Sequence, residues 1–444
     1  MQNLPAVKRY KVLANARKIL RNPLPFHRTH FEKLGDTFKI DITGGSNTVV
    51  FTRNPKLIKH VLQKQHRSYE KSELQTVDLA KYIGHGILTS NGEHWRKHRR
   101  MVQPAFHKQK LHNLMFAVRN AIIAEIEHIK PNKTQSVYEL MSDLAFQVVA
   151  KSLFTNANIR KPMARLQEIT HVNQQMLINE MRQPYLKWWY QLSGKNKKHL
   201  KLAEEGQDLL HKIIEERRSS GEEKDDLLDM LLQARYEDGT AMSKKQLIDE
   251  VLILFTAGHE TTANALSFVF FLLAKHPEIQ EKAHQEILKV NLEEDDLLTA
   301  LMQLKYVQHC IEEGMRLYPP AYIIDRVAVE ENNFEDLIVE KNAMLLMSVY
   351  ELHRYEGFWE APNTFKPERF GAMDKKDYQD YYYPFGAGPR MCVGNNFAMF
   401  EMILTVAEVL KKYQLSTTMD AVEINPLISL KPKKVDLKFN LRNH

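Results

Sequence analysis

Cys392 is the residue whose surroundings most clearly suggest chemistry. It lies in the run Phe385-Gly-Ala-Gly-Pro-Arg-Met-Cys392-Val-Gly394, just before a helical stretch opening Asn395-Asn396-Phe397-Ala398. A cysteine ahead of a helix N-terminus meets unpaired N–H groups and the positive end of the macrodipole, which favour a thiolate. Gly386, Gly388 and Gly394 let the backbone turn tightly and approach a flat ligand closely. Arg390 can meet an anion beside that ligand. The plain alternative is a core thiol next to a turn, and Cys310 reads that way within Val307-Gln-His-Cys-Ile-Glu. A second unusual run is Phe255-Thr-Ala257-Gly258-His-Glu260-Thr261-Thr262-Ala263, midway along an apolar helical pattern. Glycine there costs about 1 kcal/mol relative to alanine, and an acid followed by two threonines is equally awkward. Close packing at Gly258 and back-bonding of Thr262 would be a purely structural account.

Other runs give these two a context. Glu313 and Arg316 are spaced i,i+3, ordinarily a weak surface pair. Pro319-Pro320 follows at once, and Pro367-Glu-Arg369-Phe comes further on. Earlier, His94-Trp95-Arg-Lys-His-Arg99 sets a tryptophan and an arginine one helical turn apart. In this order the runs resemble the cytochrome P-450 superfamily: its Phe-x-x-Gly-x-Arg-x-Cys-x-Gly loop, Ala-Gly-x-acid-Thr helix, Glu-x-x-Arg pair and Trp-x-x-x-Arg helix. The motifs span Trp95 to Gly394, and weaker similarity covers most of the chain.

That resemblance implies a mainly α fold with minor β, in one haem-thiolate monooxygenase domain over 1–444 with no fused reductase. Haem b would lie between the long central helix and the cysteine loop with its following helix, its iron held by the Cys392 thiolate. Ala257 and Gly258 would pass over the haem, leaving room for the co-substrate O2, and Glu260 and Thr261 would be the acid–alcohol pair that delivers protons there. His259 falls at the variable position and reads as structural or solvent-facing. Trp95, Arg99, Arg326 and Arg390, with His94 beside them, would meet the haem propionates, and Phe385 and Gly394 would border the cofactor from the loop. Glu313, Arg316 and Arg369 would form a buried brace for the segment before the cysteine. Phe255, Ala257, Ala321, Tyr322, Ile324, Leu427 and Ile428 map to the substrate side, as do the segments Leu74–Leu88 and His171–Gln183.

The implied reaction inserts one oxygen atom into a small organic substrate, by hydroxylation or oxidative O-demethylation among other routes. A lipid or terpenoid and a small polar or methoxylated compound stand as equal candidates. Electrons would come from a separate ferredoxin- or flavodoxin-type donor with its reductase, as in soluble bacterial members of the superfamily. Its docking face would be the basic one carrying Arg96, Lys97 and Arg100. Two rivals remain: a peroxide-driven enzyme of the same fold, and a non-catalytic helical binding protein in which Cys392 is a core thiol. The acid–alcohol pair argues against the first, because peroxide delivers its own protons.

The elements that must position these residues follow from hydrophobic period and punctuation. Thr37–Asp41 and Thr48–Thr52 bracket Gly44-Gly45 as a hairpin. From Pro55 to Met315 the pattern is mostly helical, with a helix start at Ser90-Asn-Gly-Glu93 and a polar loop at Gly221–Asp226. Ser243 caps a long helix that His276-Pro277 ends, and Pro319-Pro320 ends the next. Strands are expected at Tyr322–Val329 and Leu345–Tyr350, irregular chain from Phe358 to Pro389, and a helix over Asn395–Tyr413.

Composition narrows the class. The chain has 444 residues with 43% hydrophobic content, enough for a large core. Two cysteines exclude a disulfide framework, a four-cysteine zinc site and an iron–sulfur cluster. The net charge of +7 suits acidic partners in general; no nucleic-acid partner is expected. The longest apolar run, Ala265–Ala274, is half a membrane span and reads as a buried helix. No signal peptide or membrane anchor is expected, and a cytoplasmic location is.

Overall fold

The computed structural model describes residues 4–40, 48–155, 160–293 and 296–442. Long helices predominate: α1 (Gly92–Val102), α2 (Lys108–Ile126), α3 (Val137–Leu153), α4 (Arg160–Arg182), α5 (Lys195–Ser220), α6 (Lys244–Lys275), α7 (Pro277–Ile287), α8 (Lys305–Leu317) and α9 (Asn395–Lys412). Ser243 starts α6 by accepting a hydrogen bond from the Gln246 N–H. The helix stops at His276 because Pro277 lacks an N–H, and Pro277 then opens α7. From Thr262 to Ala274 every residue of α6 is buried, as expected for a helix apolar on all sides. Helices α3, α5, α8 and α9 pack on α6, and α2 packs against α3 and α9.

The β portion is small. Strands β1 (Ala6–Val7), β2 (Thr37–Ile40), β3 (Val49–Thr52), β4 (Tyr69–Glu70), β5 (Ile323–Ala328) and β6 (Met344–Ser348) form one sheet in the order β1-β2-β3-β6-β5-β4. Strands β2 and β3 are antiparallel with Phe38 opposite Phe51, as the hairpin pattern predicts. The glycine turn between them lies outside the described residues. A separate antiparallel pair, β7 (Ile424–Pro426) and β8 (Leu430–Pro432), is joined by Leu427–Ser429.

Two boundaries differ from expectation. After Ser348 the expected strand becomes a short helix, Val349–Leu352, because the Ser348 hydroxyl accepts from the Glu351 N–H and caps a turn. The stretch from Phe358 to Pro389 is not wholly irregular, since Lys375–Tyr378 is helical behind an Asp374–Asp377 capping box. Its aromatics pack on one another, with Phe358 and Tyr381 stacked at 4.0 Å.

Candidate active site

The cysteine loop is a tight turn locked by its glycines. The Cys392 N–H donates to the Phe385 carbonyl at 2.9 Å, closing the loop. Gly386 and Gly388 have φ of +71° and +69°, and a Cβ on Gly388 would meet the Leu62 carbonyl oxygen at 2.0 Å. Cys392 is open to a solvent-sized probe although protein encloses it, so the opening is an interior one. Burial pushes its thiol up; the Gly394 N–H and the Arg99 guanidinium oppose that rise. A cation bound at the sulfur would tip the balance towards thiolate. Cys310, by contrast, is buried, and burial raises its thiol far above the usual range, making it an inert core residue.

Helix α6 has a matching interior opening. Within its buried length, Ala257 and Thr261 are exposed, and Leu254, Gly258 and Glu260 are half-buried. Leu254, Ala257, Gly258 and Thr261 recur at three and four, so they share one helix face. The Thr261 hydroxyl donates to the Ala257 carbonyl at 2.8 Å. Glu260 accepts at Oε1 from Ser429 Oγ at 2.7 Å. His259 is buried against Phe255 and Phe146, a packing role.

Beside the cysteine loop lies a pocket of cations. Arg390 donates to the carbonyls of His66 and Tyr69, stands 5.1 Å above the Trp95 ring, and leaves its buried Nε without a partner. Arg326 is buried and donates to the carbonyl of Asp325; burial lowers its guanidinium to about 10. Lys71, which sequence reasoning missed, donates to the carbonyls of Ile87 and Ser90. Burial, then Arg326 and Arg390, depress its ammonium. Among the described residues no carboxylate hydrogen-bonds to these three side chains. Arg99 binds the Met391 carbonyl at 2.8 Å, joining α1 to the cysteine loop. His94 is exposed, its ring 4.3 Å from that of His98 and its Nε2 3.4 Å from the His85 carbonyl. Buried cations with spare donors are costly unless an anion joins them, so these residues fit the two carboxylates of haem.

The structure brings Glu313, Arg316 and Arg369 together. Glu313 takes a bidentate contact from Arg316 at 2.7 and 2.9 Å and a third from Arg369 at 3.0 Å, all three side chains being buried. Arg316 also donates to the carbonyls of His353, Pro362 and Thr364, and Arg369 to those of Glu360 and Ala361. The link to the cysteine loop runs through His353, whose Nε2 accepts from the Tyr383 N–H at 2.8 Å. Burial beside Arg316 and Arg354 keeps that imidazole neutral, as an acceptor must be.

One expected substrate-side residue is elsewhere. Phe255 is fully buried, off the face that carries Ala257 and Thr261, and edge-on to Phe146. The face of α6 turned away from Ala257 and Thr261 presents Leu252 and Thr256 to a narrow slit between α4, α5 and α6, lined by Leu79, Ile83, Leu166 and Leu177 with Thr170, Asn173 and Gln174. Tyr322 donates to the Leu427 carbonyl at 2.8 Å, Ile324 approaches Gly386, and Ile428 is exposed. Ala321 is half-buried between Pro320 and Tyr322, and Phe385 and Gly394 are half-buried in the loop. A distinct polar cavity of about 260 Å³ is lined by Tyr138, Ser142, Gln167, Glu168 and His171, and it reaches His259 and Glu260.

Among the described residues no cluster of three metal-ligating side chains occurs, and no helix is long and apolar enough to cross a membrane. The model of one protein family, described as Cytochrome P450, matches residues 5–439. Among similar proteins, a cyclooctat-9-en-7-ol 5-monooxygenase of Streptomyces melanosporofaciens is 29% identical over 407 residues, 91% of this chain and 87% of the relative. An 11-oxo-beta-amyrin 30-oxidase of Glycyrrhiza uralensis is 29% identical over 413 residues, 88% of this chain and 78% of its own. An ultra-long-chain fatty acid omega-hydroxylase of Homo sapiens is 29% identical over 395 residues, 82% and 73% respectively.

Proposed function

The chain belongs to the cytochrome P450 family and is a haem-thiolate monooxygenase, and from that premise we propose that it hydroxylates an apolar aliphatic substrate of terpenoid or lipid class. The observation that carries this reading is the pair of interior openings, Cys392 in the loop before α9 and Ala257 with Thr261 on α6, the two helices packing together. A haem between them would cover both. When bound, it supplies the redox chemistry, with thiolate donation favouring O–O cleavage.

The chain's own part is to hold, orient and move protons. Cys392 provides the axial sulfur; Arg326 and Arg390, with Lys71, Trp95 and Arg99, hold the propionates. Glu260 and Thr261 bring protons to the opposite face, and the polar cavity beside Glu260 gives them a route from solvent. The α6 face turned to the haem, with Leu254, Ala257 and Gly258 beside Thr261, is mostly apolar and favours a hydrocarbon skeleton. The names of three relatives, a cyclooctat-9-en-7-ol 5-monooxygenase, an 11-oxo-beta-amyrin 30-oxidase and an ultra-long-chain fatty acid omega-hydroxylase, support that preference over a methoxylated compound. We place the electron donor, a separate acidic redox protein, on the exposed Arg96–Lys97–Arg100 face, next to the cysteine loop through Arg99. One domain spanning the chain suffices for this assignment.

The test has two arms. The reduced carbon monoxide complex should show a strongly red-shifted Soret band that Cys392→Ala abolishes; identical spectra would overturn the ligand assignment. Diterpene alcohols and long-chain fatty acids should shift the iron spin state on binding, and methoxylated aromatics should not. The reverse pattern would overturn the substrate class.

A further inference from the structure

Glu260 is not free in its surroundings. Its Oε1 accepts from Ser429 Oγ at 2.7 Å, and that hydroxyl accepts in turn from Asn264 Nδ2 at 2.9 Å. Asn264 lies one turn beyond Glu260 on α6 and is fully buried. Ser429 comes from the β7–β8 connection and is itself buried. That connection is tied down twice more, by Tyr322 to the Leu427 carbonyl and by the Leu430 N–H to the Pro320 carbonyl at 2.9 Å. Meanwhile the Thr261 hydroxyl is spent on the Ala257 carbonyl.

We infer that Ser429, oriented by Asn264, is the positioning residue that holds the Glu260 carboxylate at the polar cavity, so that the hairpin tip governs when this acid serves the haem face. The inference rests on the reading of Glu260 as the proton-relay acid. Ser429 has one proton to give. Asn264 occupies an acceptor site on the hydroxyl, which leaves the Ser429 hydrogen to point at the carboxylate. In that state Glu260 borders the cavity lined by Tyr138, Ser142, Gln167, Glu168 and His171, where a proton can be taken up. To pass it on, the carboxyl must leave Ser429. A substrate that moves exposed Ile428 moves the latch with it, since Leu427, Ile428 and Ser429 are one tip. Substrate seating and proton delivery are thereby linked through three consecutive residues.

The experiment compares Ser429→Ala, Ser429→Thr and Asn264→Ala in full-length haem-loaded protein, each alone and with Glu260→Gln. The red-shifted carbon monoxide spectrum and the substrate-induced spin shift report the pocket; product formed per electron consumed and the solvent isotope effect on turnover report protons. Ser429→Ala should keep both spectra and lower product per electron by about tenfold, the ratio set by one hydrogen bond to a charged group. Ser429→Thr retains the hydroxyl and should restore the yield; Asn264→Ala should fall between. In the Glu260→Gln background, Ser429→Ala should add nothing, because a latch with no acid to hold has no effect. An equal loss in both backgrounds would overturn the latch, as would an unchanged yield and isotope effect in Ser429→Ala. A Glu260→Gln variant that is itself fully coupled would instead overturn the relay reading, and the latch with it.

Discussion

Two buried clusters of charge lie on either side of the cysteine loop, and they are opposites in balance. In the brace, the Glu313 carboxylate takes three contacts from Arg316 and Arg369, and carbonyls of five residues absorb the spare donors. In the other cluster, among the described residues, Lys71, Arg326 and Arg390 hydrogen-bond only to carbonyls, and Arg390 Nε has no hydrogen-bond partner. A satisfied cluster is part of the fold's own stability. An unsatisfied one is destabilising until a ligand completes it. The difference separates residues that hold the protein from residues that hold the haem, a distinction their common type, arginine, does not make.

The largest expected effect is in the brace. Glu313→Gln strands two buried guanidinium groups and should cost about 3–5 kcal/mol. The loss should appear in denaturant unfolding of the apoprotein and holoprotein alike. A variant that loses haem but whose apoprotein unfolds like wild type would move Glu313 into the ligand-holding class.

Next comes Glu250, the buried acid at the edge of the cation cluster. It accepts from the Ile87 N–H and Gln246 Nε2, and burial lifts its carboxyl to about 7. Asp249 reinforces the rise and Lys71 opposes it, while His98, 3.4 Å away and itself lowered to about 4, is neutral at that pH. The folded protein therefore holds more protons than the unfolded chain between about 4.5 and about 7. Stability from this group is full below that window and should fall as pH rises through it, by about 3 kcal/mol in all. In Glu250→Gln this part of the pH dependence should vanish; a curve that keeps it would assign the titration to another group.

Arg326→Leu probes the sign of the difference. Removing an uncompensated buried cation should leave the apoprotein as stable as before or more so. The holoprotein should release haem faster, by an amount equivalent to about 1.5–3 kcal/mol for a lost charged hydrogen bond. Parallel destabilisation of both forms would show that Arg326 belongs to the fold and not to the ligand.

The same contrast explains what could be read from the chain in advance. The cysteine loop was legible because its glycines answer local needs: Gly388 stands where any Cβ would strike Leu62. The long helix was legible because Ser243 and Pro277 mark its ends and apolar residues fill the length between. The brace was readable only through the family resemblance, since Glu313 and Arg369 meet across more than fifty positions. Lys71, Asn264 and Ser429 carry no local signal at all. Each is a single polar residue whose meaning comes from a partner far along the chain. Phe255 was misplaced for a different reason: a helix apolar all round has no visible phase, so composition does not tell the cleft side from the core side.

Lys71 gives the smallest and finest test. Two of its three ammonium hydrogens are engaged by the carbonyls of Ile87 and Ser90, so it has one left for an anion in the pocket. Lys71→Met keeps the aliphatic stem and removes the charge. Two opposing changes then follow in the apoprotein: the loop from Ile87 to Ser90 loses its anchor, and Arg326 and Arg390 lose a repelling neighbour. These should nearly cancel, within about 1 kcal/mol. Haem release, followed by transfer to an acceptor protein, should quicken, but less than in Arg326→Leu. An effect as large as that of Arg326→Leu would mean that Lys71 turns to the anion directly. The cluster would then count three equal holders of the haem where the carbonyl contacts now argue for two.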